Sequence, residues 1–112
     1  MFQEANAFRK FNSKLKSKGR KMYSNGLVTI VKTDSIDHLT SVDATVKSSS
    51  SDKEYKVYIC FDEDGNVVQA KCTCPSFDIR NETCSHIAAV IYAYMDKLGL
   101  LKKAEKKEPK KG

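Results

Sequence analysis

The chain has 112 residues, of which 40% are hydrophobic and none is Trp, and its formal net charge is +6. This length leaves room for one domain with a modest core and not much more. No apolar stretch approaches the roughly 20 residues that cross a bilayer, and the N-terminus lacks a secretory signal, so we expect a soluble cytoplasmic protein.

The positive charge belongs to the two ends of the chain. Residues 9–21 contain seven basic residues and no acid, and residues 102–112 contain six Lys and two Glu. The middle, residues 22–101, has eleven acidic and seven basic residues. A nucleic-acid partner therefore has to be argued from the flanks and from local basic groups, and not from the overall charge.

The first segment predicts an amphipathic helix with a basic outer face. Its apolar residues recur at spacings of three and four, typical of one helical stripe; they are Phe2, Ala5, Phe8, Phe11 and Leu15. Gly19 predicts the end of this helix. We assign residues 1–20 to the helix, 21–101 to the domain that follows, and 102–112 to a Lys-rich linker or disordered tail that has almost nothing to bury.

Strand signals follow the helix, separated by turn residues. The β-branched run 27–31 predicts one strand, and the apolar–polar alternation of 41–47 predicts a second, half-buried one. Residues 55–61 and 67–72 predict a hairpin, because the polar turn between them contains Gly65, which can take a positive φ. Apolar residues then repeat at helical spacing up to Gly99, which fits a helix C-terminus. The sequence thus predicts an α+β fold with an N-terminal helix, a small antiparallel sheet of about four strands and a C-terminal helix.

Four residues at the predicted hairpin-to-helix junction have the types and spacing of a metal site. Cys72 and Cys74 are separated by one residue in an extended strand, so their sulfurs point to the same side. Cys84 and His86 cannot both face one point from a regular helix. We therefore expect Cys84 at or before the N-cap and His86 in the first turn, where free N–H groups and the helix dipole favour a thiolate. Three thiolates and one imidazole fill a tetrahedral zinc ion, which predicts one structural zinc and no catalytic machinery.

Other uses of these residues explain the pattern less well. Cys60 lies in an apolar strand and is interpreted as a small buried side chain. An iron–sulfur cluster on all four cysteines would leave His86 unexplained. A catalytic dyad of Cys84 and His86 lacks an orienting or oxyanion group nearby, and a redox role for Cys72 and Cys74 requires that metal be absent.

Several histidine and aromatic side chains receive a structural interpretation. His38 lies in a polar turn, and we assign it no role. Tyr92 and Tyr94 could stack on bases, but Tyr94 falls on the buried helical stripe and Tyr92 is expected to line the surface, so packing is favoured over base contact. Phe77, in the loop between the two ligand pairs, is expected to cover the metal from water, with a contact at the tip of that loop as the alternative.

The pattern of the four predicted ligands resembles that of the SWIM zinc-finger family. It consists of Cys-x-Cys at the end of a strand, nine intervening residues, and Cys-x-His at the start of an apolar helix. The segments Lys18–Val28 and Lys71–Pro75 are similar to parts of its prokaryotic members, and the resemblance covers residues 18–97. The family implies a ββα zinc unit with predicted roles in DNA binding and protein–protein contact. Its prokaryotic members often lie at the N-terminus of SWI/SNF-type helicase-like ATPases.

Two functions of different class remain open. The first is an accessory nucleic-acid-binding domain, with steep salt dependence and little sequence preference. Its candidate residues are Arg9, Lys10, Lys14, Lys16, Lys18, Arg20, Lys21, Lys71 and Arg80. The second is a protein-interaction module that docks on a motor such as a SWI/SNF-type ATPase, or on another protein, through an apolar patch such as the N-terminal stripe. We favour nucleic acid, with DNA as the expected partner, and expect neither a membrane nor a small-molecule substrate.

Overall fold

The computed structural model describes residues 2–48 and 50–101, and within them three helices and four strands. In chain order these elements are α1 (Glu4–Ala7), α2 (Ser13–Ser24), β1 (Val28–Ile36), β2 (Leu39–Lys47), β3 (Glu54–Phe61), β4 (Val67–Cys72) and α3 (Ser85–Lys97). The predicted α+β fold is confirmed. The predicted tail, residues 102–112, lies outside the described residues. None of the described helices is long and apolar enough to cross a membrane.

The strands form one antiparallel sheet in the order β1-β2-β3-β4, so each strand pairs with its neighbour in sequence. The predicted alternation of β2 is confirmed, because Val42, Ala44 and Val46 are buried and the residues between them are only half-buried. Val42 stands opposite Ile59 and Ala44 stands opposite Val57, which places the buried side chains of β2 and β3 on the same face. We call this the inner face of the sheet, and the opposite one the outer face.

Helix α3 packs across the inner face and forms the centre of the core. Eight of its thirteen residues are buried, because the sheet covers one side and α2 covers another. Gly99 ends the helix as predicted, with a φ of +77°. Its N–H donates to the carbonyl of Asp96 and the N–H of Leu100 donates to that of Met95, both at 2.9 Å. This pair of bonds is a Schellman motif, which satisfies the last carbonyls of the helix.

The predicted N-terminal helix is wrong in its boundaries, since the segment forms the two helices α1 and α2. Asn12 begins α2 because its side-chain oxygen accepts the N–H of Leu15 at 2.8 Å. Gly19, predicted to end the helix, is buried in the middle of α2, which continues to Ser24. This glycine serves close packing and not termination, because the two helices approach each other at Gly19 and Ala88.

The apolar side chains of the N-terminal segment belong largely to the core. Phe8 is buried, and the ring of Phe2 packs edge-on against that of Phe61 with centroids 5.2 Å apart. The N–H of Gln3 donates to the carbonyl of Asp64 at 3.0 Å, which fastens the segment to the β3–β4 turn. The N-terminal stripe is therefore not an apolar patch open to a partner protein.

Candidate metal centre

The first two predicted ligands lie where β4 ends. Cys72 is the last residue of β4 and stands opposite Val57, so its side chain is on the inner face. Thr73 extends the pairing by one residue: its N–H donates to the carbonyl of Lys56 at 3.1 Å, and its hydroxyl accepts the Lys56 N–H at 3.0 Å. Cys74 follows and is buried. This extension of the strand brings both sulfurs to the same place, as their spacing predicts.

The second pair of ligands lies at the start of α3. Cys84 is the N-cap residue, with an extended backbone of φ −166° and ψ 170°, and its sulfur accepts the N–H of Ile87 at 3.4 Å. His86 is the second residue of the helix and lies in its first turn. These are the two positions that the sequence predicts. The cap geometry resolves the problem of ligand spacing, because Cys84 does not have helical dihedral angles.

The loop between the two pairs is held by its own hydrogen bonds. Asp78 and Thr83 exchange two backbone N–H···O bonds of 2.9 and 3.3 Å. The carboxylate of Asp78 accepts the backbone N–H groups of Arg80 and Asn81 and also the side-chain amide of Asn81. These bonds, that of the Asn81 backbone first, hold the pKa of the Asp78 carboxyl below its ordinary value. The loop thereby fixes the separation of the two ligand pairs.

The four predicted ligands converge on one point. Their ligand atoms all lie within 4.8 Å of one another, and the Sγ of Cys84 is 3.9 Å from the Nδ1 of His86. Ligand atoms around a tetrahedral zinc ion stand about 3.5–3.8 Å apart, given the usual Zn–S and Zn–N bond lengths. A contraction of about 1.0–1.3 Å in the longest pair, and of less in the others, would therefore close the shell. Three sulfurs and one imidazole suit zinc and leave no position open for water.

The sulfur electrostatics show what a cation would contribute. A hydrogen bond from Cys84 lowers the pKa of Cys72 to about 4, and the same bond, together with burial, raises the pKa of Cys84. Burial also raises the pKa of Cys74. Without a cation, Cys72 is the sulfur that favours the thiolate form, and a second negative charge is disfavoured because it would be both buried and next to the first. A bound zinc ion supplies the positive charge that lets all three thiols lose their protons.

Tyr55 is a neighbour of the metal site that sequence reasoning missed. Its ring lies against the imidazole of His86 with centroids 4.6 Å apart and an interplanar angle of 42°. Tyr55 stands opposite Val46 in the sheet, so it points to the inner face, as Val57 and Cys72 do. The strand alternation alone could have indicated this face, but not the contact with α3.

Two other candidate residues are separate from the metal site. Cys60 is buried, but it stands opposite Ser41 and Gln69 on the outer face. Cys60 therefore cannot join the other cysteines in an iron–sulfur cluster. His38 is exposed in the β1–β2 turn, and its Nδ1 lies 3.4 Å from the carboxylate of Glu63.

The aromatic residues considered for base stacking are packed in the fold. Tyr94 is buried and stacks on Phe61 with centroids 5.3 Å apart. Tyr92, expected to line the surface, is also buried, because the N-terminal segment covers it and its ring contacts that of Phe8 with centroids 4.8 Å apart. Phe77 is half-buried and packs against the edge of the core.

Seven of the nine predicted nucleic-acid-binding residues lie on α2 or just before it. The helix has five basic residues and no acidic one. Three of them, Lys14, Lys18 and Lys21, are exposed and follow one another at spacings of four and three. We call these three residues the basic stripe. Arg9 and Lys10 precede the helix and are exposed, and the guanidinium of Arg9 also donates to the β3–β4 turn at 3.1 Å.

The remaining cations of α2 flank the other side of the helix and contact aromatic rings. The Nζ of Lys16 lies 5.1 Å from the centroid of Phe8. The guanidinium of Arg20 lies 5.5 Å from the centroid of Tyr92. Such cation–π contacts hold these side chains close to the core and away from the basic stripe.

Lys71 and Arg80 form a second, separate group. Lys71 stands opposite Tyr58 on the outer face, so the sheet lies between it and α2. Arg80 is exposed in the loop between the two ligand pairs. The nine predicted cations therefore do not form one surface, and the two groups have to be tested separately.

Comparison with known proteins agrees with this geometry. Residues 55–95 match the family model of the SWIM zinc finger, and this range includes the four convergent ligands. No curated protein and no solved structure matches the chain. The resemblance expected from the sequence is confirmed, and the cluster is the site of one structural zinc ion.

Proposed function

We propose that this domain, whose residues 55–95 match the family model of the SWIM zinc finger, is an accessory nucleic-acid-binding module with DNA as its partner. The observation that supports the proposal is the basic stripe on α2. Three ammonium groups recur along one exposed side of a helix that carries no acid. A polyanion with regularly spaced phosphates is the natural ligand of such an array.

The rigidity of α2 strengthens this proposal. The hydroxyl of Tyr23 donates to the carboxylate of Asp96 at 2.7 Å, and Gly19 packs directly against α3. The zinc fixes the start of α3, and α3 in turn holds α2. The basic stripe is therefore presented at fixed spacing, so that less entropy is lost when phosphates bind than with a free basic tail. Phosphate contacts of this kind carry no base information, so little sequence preference is expected.

We further propose that the module works with a SWI/SNF-type helicase-like ATPase in the cytoplasm. The support is the resemblance of the lead-in segment and the ligand pattern to prokaryotic members of the family. A reducing compartment also suits the thiolate site, because its cysteines must stay unoxidised to bind zinc. We assign the zinc no catalytic role, since its shell is filled by protein ligands.

The experiment is fluorescence anisotropy of the zinc-loaded chain with labelled duplex and single-stranded DNA over a salt series. Changing the three lysines of the basic stripe to Gln should weaken binding and lower the salt slope by about 2–3, one phosphate contact for each lysine. The matched control changes Lys47, Lys53 and Lys97 to Gln, which removes the same charge elsewhere on the surface.

A third variant changes the six lysines of residues 102–112 to Gln. The proposal fails if DNA binding is lost in this third variant but persists in the variant of the basic stripe, because the affinity would then come from the Lys-rich segment. Equal losses of DNA affinity in the basic-stripe variant and in the control variant would show that binding depends on net charge alone. That result would also contradict the proposal.

A further inference from the structure

A groove crosses the outer face of the sheet, on the side opposite to α3. It has a volume of about 730 Å³ and extends from β1 across β2, β3 and β4 to the loop between the ligand pairs. We call it the outer groove; its lining includes Val31, Thr45, Lys56, Tyr58, Lys71 and Ile79. Three spacings between neighbouring strands make it about 14 Å long, which an extended segment of about five residues would cross.

Each end of the outer groove has an exposed aliphatic side chain that does not pack in the core. Val31 is 65% exposed and Ile79 is 81% exposed, and neither belongs to the core. Val31 is the extra residue of a β-bulge, because Ile30 pairs with Ala44 and Lys32 pairs with the adjacent Asp43, which leaves Val31 without a partner in β2. Bulges redirect side chains and commonly lie beside functional sites. The lining between them is also largely apolar, and a continuous apolar surface exposed in a groove indicates a binding surface.

The charges of the lining indicate the chemistry of the occupant. Lys56 and Lys71 are exposed, and neither forms an ion pair within the part of the chain that the structure describes. Asp43 is the one acidic residue of the lining and is half-buried. Two unpaired ammonium groups beside aliphatic side chains complement a ligand that combines apolar groups with carboxylates.

A nucleic-acid strand fits this surface less well than a polypeptide. Bases stack on exposed aromatic faces, whereas both aromatic side chains of the groove, Tyr58 and Phe77, are half-buried. The carboxylate of Asp43 on the floor would also repel a phosphate. The exposed groups here are aliphatic, and these favour the branched apolar side chains of a protein.

We propose that the outer groove docks a polypeptide segment that presents branched apolar side chains flanked by carboxylates. This site is independent of the proposed nucleic-acid function, because the basic stripe belongs to α2, on the other side of the sheet. The module would then have two binding faces, a polar one for phosphates and an apolar one for protein.

The test is an NMR titration of the full, zinc-loaded chain with a short peptide that has leucine at alternate positions, as one face of an extended segment requires, and glutamate between them. A matched peptide has lysine in place of glutamate. Amide shifts should concentrate around Val31, Thr45 and Ile79, and the acidic peptide should bind about tenfold more tightly than the basic one. The double variant Lys56→Gln, Lys71→Gln should abolish this preference.

The matched substitutions are Ile79→Ser in the groove and Val68→Ser outside it, both at exposed positions. Ile79→Ser should weaken peptide binding by about tenfold, and Val68→Ser should leave it unchanged. Zinc content and melting temperature verify that each variant is folded. Shifts outside the groove, or equal affinity of the Ile79→Ser and Val68→Ser variants, would overturn the proposal. A single-stranded oligonucleotide could also produce the same amide shifts and lose the same affinity in the Ile79→Ser variant. That result would overturn the proposal as well, because the occupant would then be nucleic acid.

Discussion

Gly19 of α2 lies directly against Ala88 of α3. A Cβ atom added to Gly19 would stand 2.5 Å from the Cβ of Ala88 and 2.7 Å from the backbone nitrogen of Ala89. All three residues are buried. The helices approach so closely because one of them has no side chain at the crossing. This contact links the basic stripe on one side of α2 to the zinc-fixed helix on the other.

The substitution Gly19→Ala should destabilise the domain by about 1–3 kcal/mol, although alanine is the better helix former by about 1 kcal/mol. The added methyl group would meet backbone atoms of α3, which cannot move aside as a flexible side chain can. Chemical denaturation of the zinc-loaded protein measures the effect. Ser17→Ala, at an exposed position of the same helix, is the control and should be neutral or slightly stabilising. Equal stability of the two variants would contradict the close contact.

Removal of zinc should unfold the whole domain and not only the segment from Cys72 to the end of α3. The loss is not confined to that segment because α3 contacts all four strands and α2. Structural zinc in small fingers has an apparent binding energy of about 10–16 kcal/mol, comparable to or larger than the stability of a typical domain. Addition of a chelator should therefore collapse the amide shifts of β1 and β2 together with those of α3.

The corresponding substitutions are Cys84→Ser, which removes a ligand, and Cys60→Ala, which removes a cysteine on the outer face. Metal analysis should find one zinc per chain in the Cys60→Ala variant. The Cys84→Ser protein should have weakened zinc binding and a lowered melting temperature. A Cys84→Ser protein with full zinc occupancy and an unchanged melting temperature would be inconsistent with the assigned shell.

Tyr55 should contribute to zinc affinity through its contact with His86. The ring limits the orientations of the imidazole, so that less freedom is lost when the metal binds. Tyr55→Ala should weaken zinc binding by about tenfold in competition with a chromogenic chelator, whereas Tyr55→Phe, which keeps the ring, should change it little. Tyr58→Ala, on the outer face of the same strand, is the control. If both alanine variants bind zinc equally, the ring has no positioning role.

The metal site could be predicted from the sequence because its determinants are local. The shared direction of the Cys72 and Cys74 side chains follows from strand geometry. The position of Cys84 at the N-cap follows from the requirement that Cys84 and His86 bind the same metal ion. Gly99 was also predictable, since a helix C-terminus with a positive φ depends on neighbouring residues alone. In each of these cases the backbone conformation decides the outcome, and a few adjacent residues set that conformation.

Packing between distant elements could not be predicted in this way. A glycine in a helical pattern either ends the helix or admits a neighbour, and only the presence of Ala88 at the crossing decides for Gly19. The capping role of Asn12 was hidden because apolar residues keep helical spacing on both sides of it. The outer groove depends on the bulge at Val31 and on the course of the loop before Cys84, and neither has a sequence signal strong enough to predict a cavity.

The turn between β3 and β4 gives a prediction about pH. The side-chain amide of Asn66 donates to the carboxylate of Asp62 at 3.0 Å and is the main reason that the pKa of Asp62 lies below its ordinary value. A lowered pKa in the folded state means that the ionised carboxylate stabilises the turn at pH values above the unfolded-state pKa. This contribution is lost as the pH falls through the folded-state pKa.

Asn66→Ala should raise the pKa of Asp62 toward its ordinary value, because the variant lacks the hydrogen bond that lowers this pKa most. The measurement is the carboxyl carbon resonance of Asp62 in the pH range where the zinc-loaded fold persists. In the variant this resonance should begin to move at a higher pH than in the parent protein. Asn25→Ala, at the end of α2, is the control and should leave the titration as it is. Coincident titration curves for Asn66→Ala and the parent would show that the backbone N–H groups of the turn hold the carboxylate by themselves.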